Sequence, residues 1–191
     1  IIMGGQTMNP PVEDFINAVH GGNGVKYIIL PNNKNIILAA EQVKKLLGHR
    51  IEIVPTTNVP QGLAALMAFD PELTMETNIA RMSGGISEVT AAAVTIAVRD
   101  SVLDGRIIAA GKFIGVADSR VMVDADDAGV ALRKMVKLLL RPDHEIISLY
   151  YGADLSGTEA EAMTQSLRND VPNLEIQLYF GGQPHYHFII S

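Results

Sequence analysis

The sequence contains no cysteine. That excludes a disulfide framework, a thiol nucleophile and a thiolate metal site, and it fits a reducing interior, so a cytoplasmic location is expected. An excess of positive charge is also missing: 15 Lys and Arg stand against 21 Asp and Glu, a net charge of -6. This argues against a nucleic-acid backbone or an anionic membrane surface as partner. No apolar run reaches the roughly 18 residues of a spanning helix, and no charged start followed by an apolar stretch marks a signal peptide. Membrane insertion is therefore not expected. The chain has no initiator methionine and opens inside an apolar run, Ile1-Ile2-Met3, which reads as a fragment of something longer. What is present is apolar material: 48% of 191 residues, sufficient for a sizeable core in one large domain or two packed lobes.

The apolar residues recur with a strand and helix rhythm. Short β-rich runs at Ile1 to Met3, Val25 to Leu30 and Ile51 to Val54 have the character of buried parallel strands. Between them, Val12, Phe15, Ile16 and Val19 fall on one helical face that stops at Gly21-Gly22, and Ile36, Ala40, Val43 and Leu47 on another that stops at Gly48. A third helix carries Leu63, Leu66 and Met67 before Asp70-Pro71. Alternation at this spacing predicts βαβ units and a parallel sheet over residues 1–70. Over 71–191 the rhythm changes to a helix around Met75 to Met82, a buried-looking run Val94 to Val98, glycine-punctuated strands from Ile107 to Val123, a helix over Val130 to Leu140 and a strand over Ile146 to Tyr150. Ser156-Gly157-Thr158-Glu159 has the form of a capping box, opening a helix that Pro172 closes. Leu174, Ile176, Leu178 and Phe180 alternate with Glu175, Gln177 and Tyr179, the period of a half-exposed strand. The fold class expected is α/β: a parallel-sheet βαβ lobe followed by a second, smaller α/β lobe.

Each strand of the first lobe is followed by a loop rich in amides and hydroxyls: Gln6-Thr7-Met8-Asn9, then Asn32-Asn33-Lys34-Asn35, then Thr56-Thr57-Asn58 with Gln61 beyond it. Asn9 before Pro10, and Asn33 before Ile36, suit the N-cap position, where a side-chain oxygen accepts an orphan backbone N–H. In an open parallel sheet the three loops line the edge outside the carboxyl ends of the strands, where such folds bind ligands. Three helix N-termini there favour an anion. The candidate residues are Gln6, Thr7, Asn9, Asn32, Asn33, Lys34, Thr56, Thr57 and Gln61. Near the other end Gly181-Gly182-Gln183-Pro184 repeats the Gly4-Gly5-Gln6 tripeptide, and Gly181, Gly182 and Gln183 join the candidates as a second-lobe counterpart. Two tight turns would explain the glycines equally well. Neither copy continues into a phosphate loop.

The remaining polar residues resolve into simpler roles. His185 and His187 lie two apart and would share a strand face, but no third ligand is placed beside them, and a metal is not expected. His20, His49 and His144 fall at helix ends or loops. Asp124-Ala125-Asp126-Asp127 precedes a helix whose dipole it suits. No G-x-S-x-G elbow or evident His–Asp partnership marks a catalytic site.

Read together and in order, GGQTMNP, LPNNKNIILAAEQ, VPTTNVPQGLAAL, AFDP, VRD at Val98 to Asp100 and GGQPHYHFIIS resemble the carboxyl-terminal domain of the dihydroxyacetone-kinase-related kinase subunit of bacterial fatty acid kinase. The resemblance covers nearly the whole chain. It implies a DegV-like fold and a bacterial protein in which an amino-terminal kinase domain, where ATP and magnesium are expected, and a middle domain precede this one. This fragment then carries no cofactor of its own. Its implied partners are those two domains and a separate DegV-like fatty acid-binding protein, docked so that its acyl cargo is phosphorylated elsewhere. In the lipid-binding relatives, hydroxyl-rich first-lobe loops and a second-lobe histidine hold a fatty acid carboxylate. Here Gly4 and Gly5 stand where those hydroxyls would be and Gln6 matches, which favours a fold kept for recognition. A fatty acid or small-molecule binding module is the alternative, and an enzyme acting on a phosphorylated small molecule is the third reading.

Overall fold

The computed structural model describes residues 1–2, 4, 9–103, 105–118 and 120–191. The chain divides into two compact units, Ile1–Val89 and Thr90–Ser191. The boundary falls beyond the 70/71 position read from the sequence, because the helix after Pro71 shares a core with the first unit.

In the first unit the elements run α1 (Val12–Gly21), β1 (Tyr27–Ile29), α2 (Lys34–Leu47), a 3-10 turn at Gly48–Arg50, β2 (Ile51–Ile53), α3 (Val59–Met67) and α4 (Met75–Glu88). β1 and β2 pair in parallel, Tyr27 beside Ile51 and Ile29 beside Ile53, as a strand–helix–strand crossover requires. The expected first strand is not formed at Ile1 or Ile2, and Met3 lies outside the described residues. Phe15 and Val19 of α1, Ile36 and Val43 of α2, and Ile51 of β2 form one apolar cluster, so both helical stripes face the sheet. A second cluster joins Val54, Ala65 of α3 and Met82 of α4, with Ile79 and Ile86 against it; this is what assigns α4 to the first unit.

Two expectations for these helices need correction. Asn9 does not cap α1: the N-cap is Pro11, with no side-chain bond, and Asn9 is exposed. Extended backbone is what a residue at or before proline prefers, so the helix starts later. In α3 the large residues Leu63, Leu66 and Met67 face outward, and the buried face is Pro60, Gly62 and Ala65. Small side chains let this helix approach its neighbours closely, and that decides which face is buried.

The second unit, expected to be the smaller, is the larger, since the chain from Thr90 to Ser191 is longer than that from Ile1 to Val89. Its elements are β3 (Ala92–Ile96), β4 (Ser101–Leu103), β5 (Arg106–Ile108), β6 (Phe113–Ala117), β7 (Arg120–Ala125), α5 (Ala128–Leu139), β8 (Ile146–Tyr151), α6 (Gly157–Asp170), β9 (Glu175–Phe180) and β10 (Tyr186–Ile190). Six strands form one sheet in the order β7-β6-β3-β10-β8-β9, parallel only between β8 and β9. α5 and α6 cover it: Leu132, Met135, Ala160 and Leu167 pack with Val94, Leu149, Ile176 and Phe188 in the main core. Full burial stabilises by about 1.5–3 kcal/mol for each of the larger of these side chains relative to exposure. The β4–β5 hairpin contributes Leu103 and Ile108 to a separate cluster with Ala97 and Ile114. Val98, read with the buried run, is 92% exposed beyond the end of β3.

Helix starts follow local chemistry. Asp127 accepts the Val130 N–H at 2.8 Å. Ser156 and Glu159 form the reciprocal capping box, with the Ser156 N–H to Glu159 Oε2 at 2.9 Å and the Glu159 N–H to Ser156 Oγ at 3.3 Å. Hydrogen bonds from the Ser156 hydroxyl and the Ser156 N–H hold the Glu159 carboxyl below its usual range.

Candidate functional site

The loops after β1 and β2 lie at the carboxyl ends of two parallel strands, side by side. Their polar groups are turned on one another. Asn32, with φ 55, takes the left-handed conformation that Asn tolerates better than most residues. Its N–H donates to Thr56 Oγ1 at 2.9 Å, and the Thr56 hydroxyl donates back to Asn32 Oδ1 at 2.8 Å. Thr56 is wholly buried. The Thr57 N–H and hydroxyl both donate to Gln61 Oε1, at 2.8 and 2.9 Å. The Gln61 N–H in turn donates to Asn58 Oδ1 at 3.0 Å, which caps α3.

Gly62 makes this arrangement possible. A β-carbon there would overlap the Asn32 carboxamide, so only glycine lets the β1 loop lie against the first turn of α3. The structure thus brings together Asn32, Thr56, Thr57 and Gln61 from the expected site, and adds Asn58 and Gly62. The spacing Asn58-x-x-Gln61-Gly62 is a cap followed by a small residue, which signals a close helix approach. Asn33 caps α2 by accepting the Asn35 N–H at 2.9 Å, and Lys34 is the exposed first residue of that helix. Gln6 and Thr7 lie outside the described residues.

What α3 offers outward is apolar. Val59, Leu63, Leu66 and Met67 are exposed, Leu66 by 58% and Met67 by 87%, with Phe69 and Leu73 also exposed just beyond. Positions 59, 63, 66 and 67 share one helical face, and the helix VPQGLAALM carries no charge. Exposed leucines are ordinary singly, but here several large apolar residues share one uncharged helical face.

In the second unit Gly181, Gly182 and Gln183 form the turn from β9 to β10. Gly182 has φ 65, a conformation that favours glycine. The N–H groups of Gly181 and Gly182 donate to the Tyr151 carbonyl at 3.0 and 3.3 Å. Gln183 Nε2 donates to the Tyr150 carbonyl at 2.9 Å, and the Thr95 hydroxyl to the His185 carbonyl at 2.5 Å. The glutamine therefore braces its own turn.

His185 and His187 do not share a strand face. His185 precedes β10 with φ 69 and is exposed, whereas His187 sits at a register shift between Tyr186 and Phe188. His187 is buried, its Nδ1 has no hydrogen-bond partner among the described residues, and its ring meets Phe113 edge-on at 5.0 Å. Burial pushes its pKa down, with the Asp154 carboxylate opposing the shift. Among the described residues no three His, Cys, Asp or Glu side chains are grouped to hold a metal ion, and no helix is long and apolar enough to cross a membrane.

Similarity to known proteins bears on this geometry. The chain is 37% identical over 191 residues to protein YloV of Bacillus subtilis, covering all of this chain and 34% of that protein. It is 35% identical over the same length to an uncharacterized protein of Staphylococcus haemolyticus, covering 35% of it. The chain thus spans about a third of the length of these relatives. Among solved structures, a DegV family protein from Thermus thermophilus described for fatty acid binding aligns with a TM-score of 0.64 at 12% identity, over 96% of this chain and 77% of that one. The fatty acid kinase B3 protein of Streptococcus pneumoniae loaded with linoleic acid gives 0.59 at 8%, over 95% and 75%. Dihydroxyacetone kinase from C. freundii gives 0.65 at 14%, over 95% of this chain but 41% of that one. These structural likenesses establish a fold of the DegV kind. The FakA-like C-terminal family model, which describes the C-terminal part of fatty acid kinase A-like subunits, matches residues 1–191, and the chain belongs to that family.

Proposed function

We propose that this chain is a noncatalytic docking domain of a fatty acid kinase subunit. It holds an acyl-carrying, DegV-like fatty acid-binding protein for phosphorylation by a kinase domain elsewhere in the full-length protein, where ATP and magnesium would bind. One observation carries the reading. The polar side chains at the carboxyl ends of β1 and β2 are spent on an internal lock, while α3 beside them presents an uncharged apolar face. A crevice that held a ligand carboxylate would keep hydroxyls and amides pointing at the ligand; a docking surface exposes apolar anchors.

A second reading, a fatty acid binding module, is favoured by the likeness in fold to proteins whose structures are described with bound fatty acid. Calorimetric titration of this chain separates the two, with the acyl-loaded partner in one series and free fatty acid in another. Docking predicts saturable binding of the loaded partner and none of free acid. Saturable binding of free acid without the partner would replace docking with the second reading. ATP consumption by this chain alone would overturn both.

A further inference from the structure

We propose that β9 is a self-pairing edge through which two copies of this chain associate, antiparallel across a two-fold axis at Tyr179. β9 ends the sheet order, so its outer side carries backbone groups that a neighbour can satisfy. Which groups those are follows from the inner pairing. The N–H groups of Glu175 and Gly181 donate inward, to the carbonyls of Glu145 and Tyr151. Odd-numbered residues of β9 therefore pair with β8, and Ile176, Leu178 and Phe180 point their N–H and C=O outward. The Ile176 carbonyl is met by Arg168 Nη2 at 3.4 Å. Leu178 and Phe180 remain for a second strand.

The two ends of the sheet are treated differently. β7, the other terminal strand, carries Arg120, joins β6 through a register shift and has β4 lying beside it. Those are the devices by which proteins blunt an edge. β9 has no proline, lysine or bulge, and it leaves Tyr179 47% and Phe180 67% exposed at the segment whose backbone is unpaired.

The edge matches itself: a second copy brings the same uncharged strand with the same two outward residues, Leu178 and Phe180, free to pair. From Ile176 to Pro184 the chain has no ionisable group except the tyrosine phenol, so neither an acidic nor a basic peptide finds an opposite charge along this edge. About an axis at Tyr179, Leu178 and Phe180 exchange hydrogen bonds with Phe180 and Leu178 of the second copy, which leaves the Arg168 contact intact. The two Tyr179 side chains meet as a close, non-hydrogen-bonded pair, each backed by Tyr150, whose ring stacks on Tyr179 at 5.5 Å. Glu175, the one carboxylate on the strand, accepts from Gln177 Nε2 at 2.6 Å. It lies four residues from the axis, so the two Glu175 carboxylates stand at opposite ends of the paired segment and do not face each other. A single added strand pair with few residues a side belongs with the small, weak contacts below the ~1,200 Å² of a standard interface, so the association expected is weak and concentration-dependent.

The absence of cysteine gives a direct test with single-thiol variants. Opposed α-carbons in a non-hydrogen-bonded pair lie about 4.5 Å apart, within the range a disulfide spans. In this register the two 177 positions are about 13 Å apart. Under mild oxidation Tyr179→Cys should form a covalent dimer at least tenfold faster than Gln177→Cys or Val98→Cys, an exposed site away from the edge. Unmodified chain should gain weight-average mass between 10 µM and 1 mM in sedimentation equilibrium, and Phe180→Lys, with its melting curve checked at low concentration, should not. Equal crosslinking rates at 179 and 98, faster crosslinking at 177, or a wild-type chain still monomeric at 1 mM would each overturn the proposal.

Discussion

At Thr56 one hydroxyl both accepts and donates in a position with no access to water. The loop after β1 is held to the loop after β2 by that atom, and Asn32 keeps its left-handed backbone against it. Thr56→Val preserves shape and removes both bonds, leaving the Asn32 N–H and carboxamide oxygen without their partner. A cost of about 1–3 kcal/mol is expected, read as a lower urea midpoint for the first unit with an unchanged slope. A midpoint equal to wild type would mean that water replaces the hydroxyl and that the lock is not what fixes the loops. The sequence announced these residues by type: amides and hydroxyls after successive strands. It could not announce their partners, because Asn32 and Thr56 are 24 positions apart and only the parallel pairing of β1 with β2 sets them face to face.

α3 is the element on which pattern and structure part. Leu63, Leu66 and Met67 look like a core stripe, and in most helices the large apolar residues would be buried. Gly62 and Ala65 instead give the closest approach, and the large residues are left outside. Where local chemistry decides, structure and pattern agree: the Asn33 cap and the Ser156–Glu159 box are formed as expected. The alternation of β9 holds only at its start, where Ile176 is buried beside exposed Glu175, and fails at its end, where Phe180 is 67% exposed against 47% for Tyr179. Where pairing is remote the pattern is silent, and the β7-β6-β3-β10-β8-β9 order has no signature in the chain. The exposed face of α3 makes its own prediction. Leu66→Glu with Met67→Glu touches little that is packed, so the melting temperature should stay within about 2–4 °C of wild type, as surface changes do. If this face docks the acyl-carrying protein, its affinity should fall at least tenfold in the same titration. Unchanged affinity would move the docking surface off α3.

Across the whole molecule, each unit is stabilised from within by clusters drawn from its own residues: Phe15, Val43 and Ile51, with Val54, Ala65 and Met82, in the first, and Leu132, Leu149 and Phe188 in the second. An acid-sensitive group in one core should then act on that unit. His187 is such a group, buried in the second unit with an unpartnered nitrogen and a pKa pushed below its ordinary value. Folding favours its neutral form, whereas in the unfolded chain it takes up a proton near pH 6.5. Between the depressed folded value and 6.5 the unfolded state binds more protons, so stability rises with pH there. The contribution is complete above about pH 6.5 and is lost as pH falls through that window. Hydrogen exchange of the two units gives the readout. From pH 7.5 to pH 5, after correction for intrinsic exchange, the slow amides of Leu149 and Phe188 should lose more protection than those of Val43 and Ile51. His187→Gln, which cannot titrate, should narrow that difference. A variant with the same differential loss would assign the acid sensitivity of the second unit to other groups, and equal loss in both units would show that the two cores open together.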